Sequence, residues 1–148
     1  MRAFLFPGQG SQSVGMGKAL ADASAVAREV FQEVDEALGQ SLYKLMTEGP
    51  EDQLTLTENA QPAIMANAIA TLRVLGKEGG LRLSEKVDYV AGHSLGEYSA
   101  LCAAGAFDLP TTARLLKLIF RAFGHQAEQR LRSEEHTSEL QSPAMISY

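Results

Sequence analysis

The sequence predicts an α/β fold: a parallel sheet with flanking helices, in which one strand runs through a serine-bearing turn into a helix. Three observations carry that prediction. Ala3-Phe4-Leu5-Phe6 and Val87-Asp88-Tyr89-Val90-Ala91 are short apolar runs that read as buried strands. Around them lie segments whose apolar residues recur at helical spacing. The second run stops at Gly92 and opens onto Gly92-His93-Ser94-Leu95-Gly96, a G-x-S-x-G pattern that leads straight into a helical stretch. Strand, helices, strand, helix, helix is the order of an α/β domain with a parallel sheet.

The elements follow in order. After the first strand, Pro7-Gly8-Gln9-Gly10-Ser11-Gln12 forms an uncharged loop, and residues 14–18 look irregular. Ser24 can cap a helix over 25–38, with Val26, Val30, Phe31, Val34 and Leu38 on one face and Gly39 as its stop. Leu42 to Met46 reads as a short helix or turn, and Pro50-Glu51-Asp52 starts another short helix with acids in its first turn. A longer helix is predicted over 62–75, buried along Ile64, Ala68, Ile69, Leu72 and Leu75. The helix after the serine turn covers 95–104, with Leu95, Tyr98, Leu101 and Cys102 on one side and Gly105 closing it. Asp108 can cap a last helix whose core stripe is Ala113, Leu116 and Phe120.

Composition limits the function classes. The 148 residues are 45% hydrophobic and 21% charged, ordinary for a globular domain with a real core. A net charge of −5 leaves no basic footprint for nucleic acid. No apolar run is long enough to span a bilayer, and the apolar start is too short for a signal peptide. The single cysteine, Cys102, rules out an internal disulfide and reads as a small core residue. A cytoplasmic protein fits all of this. No metal-ligand spacing occurs.

The chemistry concentrates at the serine turn. Its glycines permit a sharp bend and close approach of strand and helix. Ser94 then projects from the bend, and the Leu95 N–H lies at a helix N-terminus, where backbone donors favour negative charge. Nucleophile and oxyanion donor are sequence neighbours. The plain alternative is a Gly-Ser turn without chemistry. His93 is expected to be aimed away from the serine and to serve packing or the turn. The Gly8–Gln12 loop lacks a phosphate-loop ending. It is either a plain strand-to-helix turn or a second source of oxyanion N–H donors from the same sheet edge.

Phe6-Pro7-Gly8-Gln9-Gly10-Ser11-Gln12, Gln61-Pro62-Ala63 and Gly92-His93-Ser94-Leu95-Gly96-Glu97-Tyr98-Ser99-Ala100 stand in order along the chain. Together they resemble malonyl-CoA:acyl-carrier-protein transacylases of fatty-acid synthesis and, more loosely, the acyltransferase domains of polyketide synthases. The resemblance runs to about Leu118. It implies an acyltransferase fold, a large α/β domain into which a ferredoxin-like subdomain is inserted later; that subdomain is absent here. It implies transfer of a malonyl group from malonyl-CoA to the phosphopantetheine thiol of acyl-carrier protein through an acyl-serine. Ser94 would be the nucleophile, and the backbone N–H groups of Gln9 and Leu95 the oxyanion hole. No cofactor is expected; phosphopantetheine arrives on the partner.

Two family features are missing. The family's base histidine lies in its second half, and none of His93, His125 and His136 occupies that context. The family's carboxylate-binding arginine maps by ungapped count to Ile119. Arg121 is two residues further on, a different helix face, so the role is not transferred to it.

The domain reading is therefore a partial acyltransferase α/β domain over 1–118, an unassigned junction over 119–131, and a non-native segment over 132–148. That last segment matches, codon for codon, the translation of a common sequencing-library adapter with its index, and is set aside like a fusion scar. The plain alternative is a genuine polar, acidic tail. An incomplete sheet would leave an unpaired edge and exposed apolar faces. A truncated chain of this kind is expected to be poorly active. The competing readings are a serine hydrolase or thioesterase, which passes the acyl group to water, and an inert fragment.

Overall fold

The computed structural model describes residues 1–140. The elements run β1 (Ala3–Phe6), α1 (Lys18–Ala23), α2 (Ala25–Leu38), α3 (Leu42–Glu48), α4 (Glu51–Thr55), α5 (Thr57–Lys77), α6 (Leu83–Lys86), β2 (Tyr89–Gly92), α7 (Leu95–Ala103) and α8 (Leu109–Leu140). β1 and β2 pair in parallel, from Ala3 opposite Tyr89 to Phe6 opposite Gly92. The predicted α/β class with a parallel sheet is what the chain adopts.

The strands differ from expectation in two respects: β2 starts at Tyr89 rather than Val87, and they are not buried on both faces. Leu5 is 77% exposed and Tyr89 61% exposed. Continuous apolar runs mark strands covered on both faces. In this two-stranded sheet only the face toward the helices is covered, and Phe6 is buried there.

The core lies among the helices. α2 begins where the sequence places it, because the Ser24 hydroxyl accepts the Ala27 N–H at 3.3 Å, satisfying a first-turn donor. The same hydroxyl donates to Glu78 Oε1 at 2.6 Å, tying the start of α2 to the end of α5. Ala27, Val30, Phe31 and Val34 form the fully buried face of α2, while Val26 and Leu38 are half-buried. Phe31 stacks on Tyr43 with ring centroids 4.8 Å apart. Burying one such ring contributes roughly 2–3 kcal/mol.

α5 starts five residues before the predicted position, at Thr57, with Pro62 inside it. The proline removes one intrahelical bond, the one its nitrogen would have made to the Glu58 carbonyl. Asn59 and Ala60 N–H already reach the Leu56 carbonyl at 2.8 Å each, so the turn before the proline is formed. The sequence places Pro62 in the first turn, the commonest helical place for a proline. From Asn59 to Ala66 every residue is buried, so this helix has no solvent face there. Further along, Leu75 is exposed rather than buried, as is Leu101 on α7.

α8 is capped as predicted: Thr111 N–H donates to Asp108 Oδ1 at 2.7 Å, and Thr112 Oγ1 to the Asp108 carbonyl at 2.7 Å. Ala113 and Leu116 are fully buried. Helical backbone continues across 119–131 and on to Leu140, into the segment expected to carry no native structure. Ala, Gln, Glu, Arg and Leu dominate there, all good helix formers, and a nucleated helix propagates readily through them. The rest of that segment, 141–148, lies outside the described residues.

Candidate active site

Parallel pairing sets the C-terminal ends of β1 and β2 side by side, with Phe6 opposite Gly92. The Pro7–Gln12 loop and the His93–Ser94 turn therefore leave the sheet at the same edge. Open α/β sheets bind their ligands at that edge.

The turn is built from close approaches. A Cβ on Gly92 would lie 2.1 Å from the Gly96 carbonyl carbon and oxygen. A Cβ on Gly96 would lie 2.4 Å from the Phe6 carbonyl oxygen and 3.1 Å from that of Pro7. One on Gly8 would come within 3.3 Å of the His93 carbonyl. Side chains at 92 and 96 are excluded, and that exclusion lets α7 begin against the end of β1. Ser94 takes φ 56° and ψ −118°, and among the described residues every other positive φ belongs to a glycine. Such backbone stores about 1–3 kcal/mol and is held by its surroundings. Here Gly96 N–H donates to the His93 carbonyl and Glu97 N–H to the Ser94 carbonyl, both at 3.0 Å.

Ser94 is exposed and stands at the N-cap of α7, yet its side chain makes no capping hydrogen bond. Among the described residues the hydroxyl thus has no hydrogen-bond partner, and it stands at a helix N-terminus. The Leu95 N–H finds no acceptor among the described residues, and neither does that of Gln9. The Leu95 side chain is fully buried and anchors the first turn of α7. Gln9 is exposed, and its side-chain Oε1 accepts from Gln61 Nε2 at 3.1 Å. Ser94 and Leu95, read from sequence as nucleophile and donor, are neighbours at the turn, and Gln9 lies on the loop that leaves the same sheet edge. Unpaired backbone donors at the sheet edge that carries the serine are what a tetrahedral oxyanion requires.

His93 is exposed, and its Nδ1 lies 3.8 Å from where a Gly8 Cβ would be, so its ring stands over the first loop. His125 and His136 fall on α8. Ile119 is half-buried on the same helix. Arg121 Nε lies 3.8 Å from Glu58 Oε2 on α5. Lys117 donates to Gln40 Oε1, and Gln40 Nε2 in turn to Asn59 Oδ1 at 3.0 Å. Burial pushes the Lys117 pKa down. Burial likewise pushes the Cys102 thiol up, against a Thr112 hydrogen bond that pulls it down, which suits an unreactive core thiol. Among the described residues no three His, Cys, Asp or Glu side chains are grouped to hold a metal ion, and no helix is long and apolar enough to cross a membrane.

A groove of about 600 Å³ lies between β1 and α5 and is lined by Phe4, Phe6, Met16, Ile64 and Leu72 among others; Ser94 is not part of it. The turn and its donors mark the site. Reading the sequence missed one participant. Gln61 entered only as part of a motif, just outside the predicted helix. Its one signal was a polar amide in an alanine-rich stretch with no other reason to be polar.

A family model described as "Acyl transferase domain" matches residues 3–132. Among curated proteins, the malonyl CoA-acyl carrier protein transacylase of Bacillus subtilis (strain 168) is 54% identical over 104 residues, covering 70% of this chain and 31% of that protein. The Escherichia coli (strain K12) protein of the same name is 42% identical over 116 residues, 78% of this chain and 36% of its own length. The chain thus spans about a third of the curated relatives it matches. Among solved structures, the acyl-carrier-protein-S-malonyltransferase of Bartonella henselae superposes with a TM-score of 0.80 at 58% identity, covering 82% of this chain and 39% of that one. A malonyl-transacylase in complex with a type II PKS acyl-carrier protein superposes with a TM-score of 0.74 at 43% identity, covering 80% of this chain and 37% of that one. With the family match covering most of its length and the serine turn built as described, this chain belongs to the acyl transferase domain family.

Proposed function

We propose that the chain is the nucleophile-bearing part of a malonyl-CoA:acyl-carrier-protein transacylase. The observation that carries this reading is Ser94: a strained, exposed serine at the start of α7, with the unpaired Leu95 N–H next to it and the unpaired Gln9 N–H on the loop that leaves the same sheet edge. In the proposed reaction the Ser94 hydroxyl attacks the thioester carbonyl of malonyl-CoA. The oxyanion that forms accepts the Gln9 and Leu95 N–H groups. Collapse of the tetrahedral intermediate expels the coenzyme A thiol, which takes up the serine's proton, and leaves an acyl-serine ester. The phosphopantetheine thiol of acyl-carrier protein then attacks that ester, restoring the serine hydroxyl. No cofactor takes part. The setting is cytoplasmic, and residues 1–118 carry the chemistry.

A serine hydroxyl without a general base is a weak nucleophile at neutral pH. Malonate recognition by a bidentate arginine also has no candidate at Ile119. The 148-residue chain is therefore expected to acylate slowly and to turn over far below a full-length relative. The test is incubation with malonyl-CoA followed by intact-mass measurement. One malonyl group added to the chain and absent from Ser94→Ala supports the reading. No adduct, or an adduct that survives Ser94→Ala, removes it. A thiol acceptor that fails to outcompete water would favour the hydrolase instead.

A further inference from the structure

Gln61 is a fully buried amide whose one hydrogen bond leaves the core. Its Nε2 donates to Gln9 Oε1, 52 positions away, while its own Oε1 is buried with no partner among the described residues. Its helical neighbours Ala60, Pro62, Ala63, Ile64 and Met65 are apolar and buried. In such surroundings an apolar side chain of equal length is the more stable choice, because an unpaired buried acceptor forfeits its hydration. What the amide supplies is the contact to Gln9.

That contact matters because the loop has little else to hold it. Its remaining side-chain bonds are internal: Gly10 N–H to Gln12 Oε1 at 2.9 Å, and Ser11 Oγ to the Gly8 carbonyl at 3.2 Å. Among the described residues, the bond from Gln61 is the hydrogen bond that ties residues 8–12 to another element. α5, in turn, packs against α2, α7 and α8 and is buried on every side at this level. Gln61 thus connects a fully buried stretch of the core to an exposed loop.

We propose that Gln61 is a positioning residue: by holding the far end of the Gln9 side chain it fixes the direction of the Gln9 backbone N–H toward the Ser94 turn. This rests on the function proposed above, in which that N–H receives the oxyanion. A donor fixed in advance stabilises developing charge without reorganising, and a displacement of about 1 Å costs on the order of 100-fold in rate.

The test uses the 148-residue chain with Gln61→Met, Gln9→Ala and the double variant. Gln61→Met keeps the length and removes both polar atoms, including the unpaired one. Gln9→Ala cuts the same bond from the exposed side without touching the core. Amide hydrogen exchange at residues 8–12 is expected to quicken about tenfold in either single variant, with α2 and α5 protection unchanged. Exchange that does not change in Gln9→Ala overturns the proposal. In single-turnover acylation of Ser94 by malonyl-CoA, each single variant is expected to lose about tenfold in rate at unchanged half-saturation, and the double variant no more than either. Additive losses, or a change in half-saturation alone, also overturn it. If the unaltered chain forms no Ser94 adduct while the loop loosens as expected, the proposed function fails and the positioning role stands. If the adduct forms and the loop does not respond, the reverse holds.

Discussion

Gly96 stands directly against the main chain of Phe6: a Cβ at 96 would sit 2.4 Å from the Phe6 carbonyl oxygen. The obstacle is backbone on a paired strand, which cannot rotate aside. Gly96→Ala is therefore expected to force α7 away from β1 and to cost about 3 kcal/mol or more, as overpacking against a rigid neighbour does. Thermal melting followed by circular dichroism checks this. A melting temperature within a degree of the unaltered chain would contradict the close approach.

Ser94→Gly separates stability from chemistry. The substitution removes the proposed nucleophile and also the Cβ that makes φ 56° costly. Ser94 is exposed, so no core contact is lost. The expected outcome is a chain about 1 kcal/mol more stable that forms no malonyl adduct. Melting and intact mass on the same sample decide it, and a fall in melting temperature would mean the turn is not strained.

Ser24 joins two ends of the helix layer through one hydroxyl, accepting from Ala27 and donating to Glu78. Ser24→Ala removes a buried cap and leaves the Ala27 N–H without its acceptor. A loss of about 1–2 kcal/mol is expected in urea unfolding. Ser24→Thr keeps the hydroxyl and should recover part of it.

Asp108 makes α8 acid-sensitive. The Thr111 side chain and then its backbone N–H, both bonded to the carboxylate, hold the Asp108 pKa below its ordinary value. A folded-state pKa below the unfolded one adds stability that is present above the unfolded value of about 3.9 and lost as pH falls through the folded value. Asp108→Asn retains a capping oxygen but does not titrate. Helicity at 222 nm should therefore fall more steeply in the original chain than in Asp108→Asn below about pH 4. Parallel acid curves would show that the charge at 108 contributes nothing.

Local signals made most of the elements legible. A capping serine, a stop glycine and a stripe at helical spacing gave α2 its observed ends, and the strand, G-x-S-x-G and helix sequence gave the turn. Errors arose where tertiary surroundings decide. Leu5 and Tyr89 have the composition of buried strand residues, but how many strands flank them is a property of the whole sheet. Pro62 carries the signature of a helix start, yet the preceding turn is fixed by buried Asn59, which also binds Gln40 and the Gln53 carbonyl. Gln61 was visible as a residue and silent as a contact, since nothing local links it to a loop 52 positions away.

The pairing of β1 with β2 has a consequence for time as well as shape. Arg2 N–H reaches Asp88 Oδ2 at 2.7 Å across 86 positions, and the strand ladder closes a loop of similar length. Drawing the ends of such a loop together costs about 4 kcal/mol of chain entropy, so this pairing forms after the local helices. The pentapeptide around Ser94 is contiguous, but its bend leans on the Phe6 carbonyl. A growing chain therefore carries an ordinary flexible serine at position 94 until its first residues return to meet it, and the strained bend waits on that long-range contact.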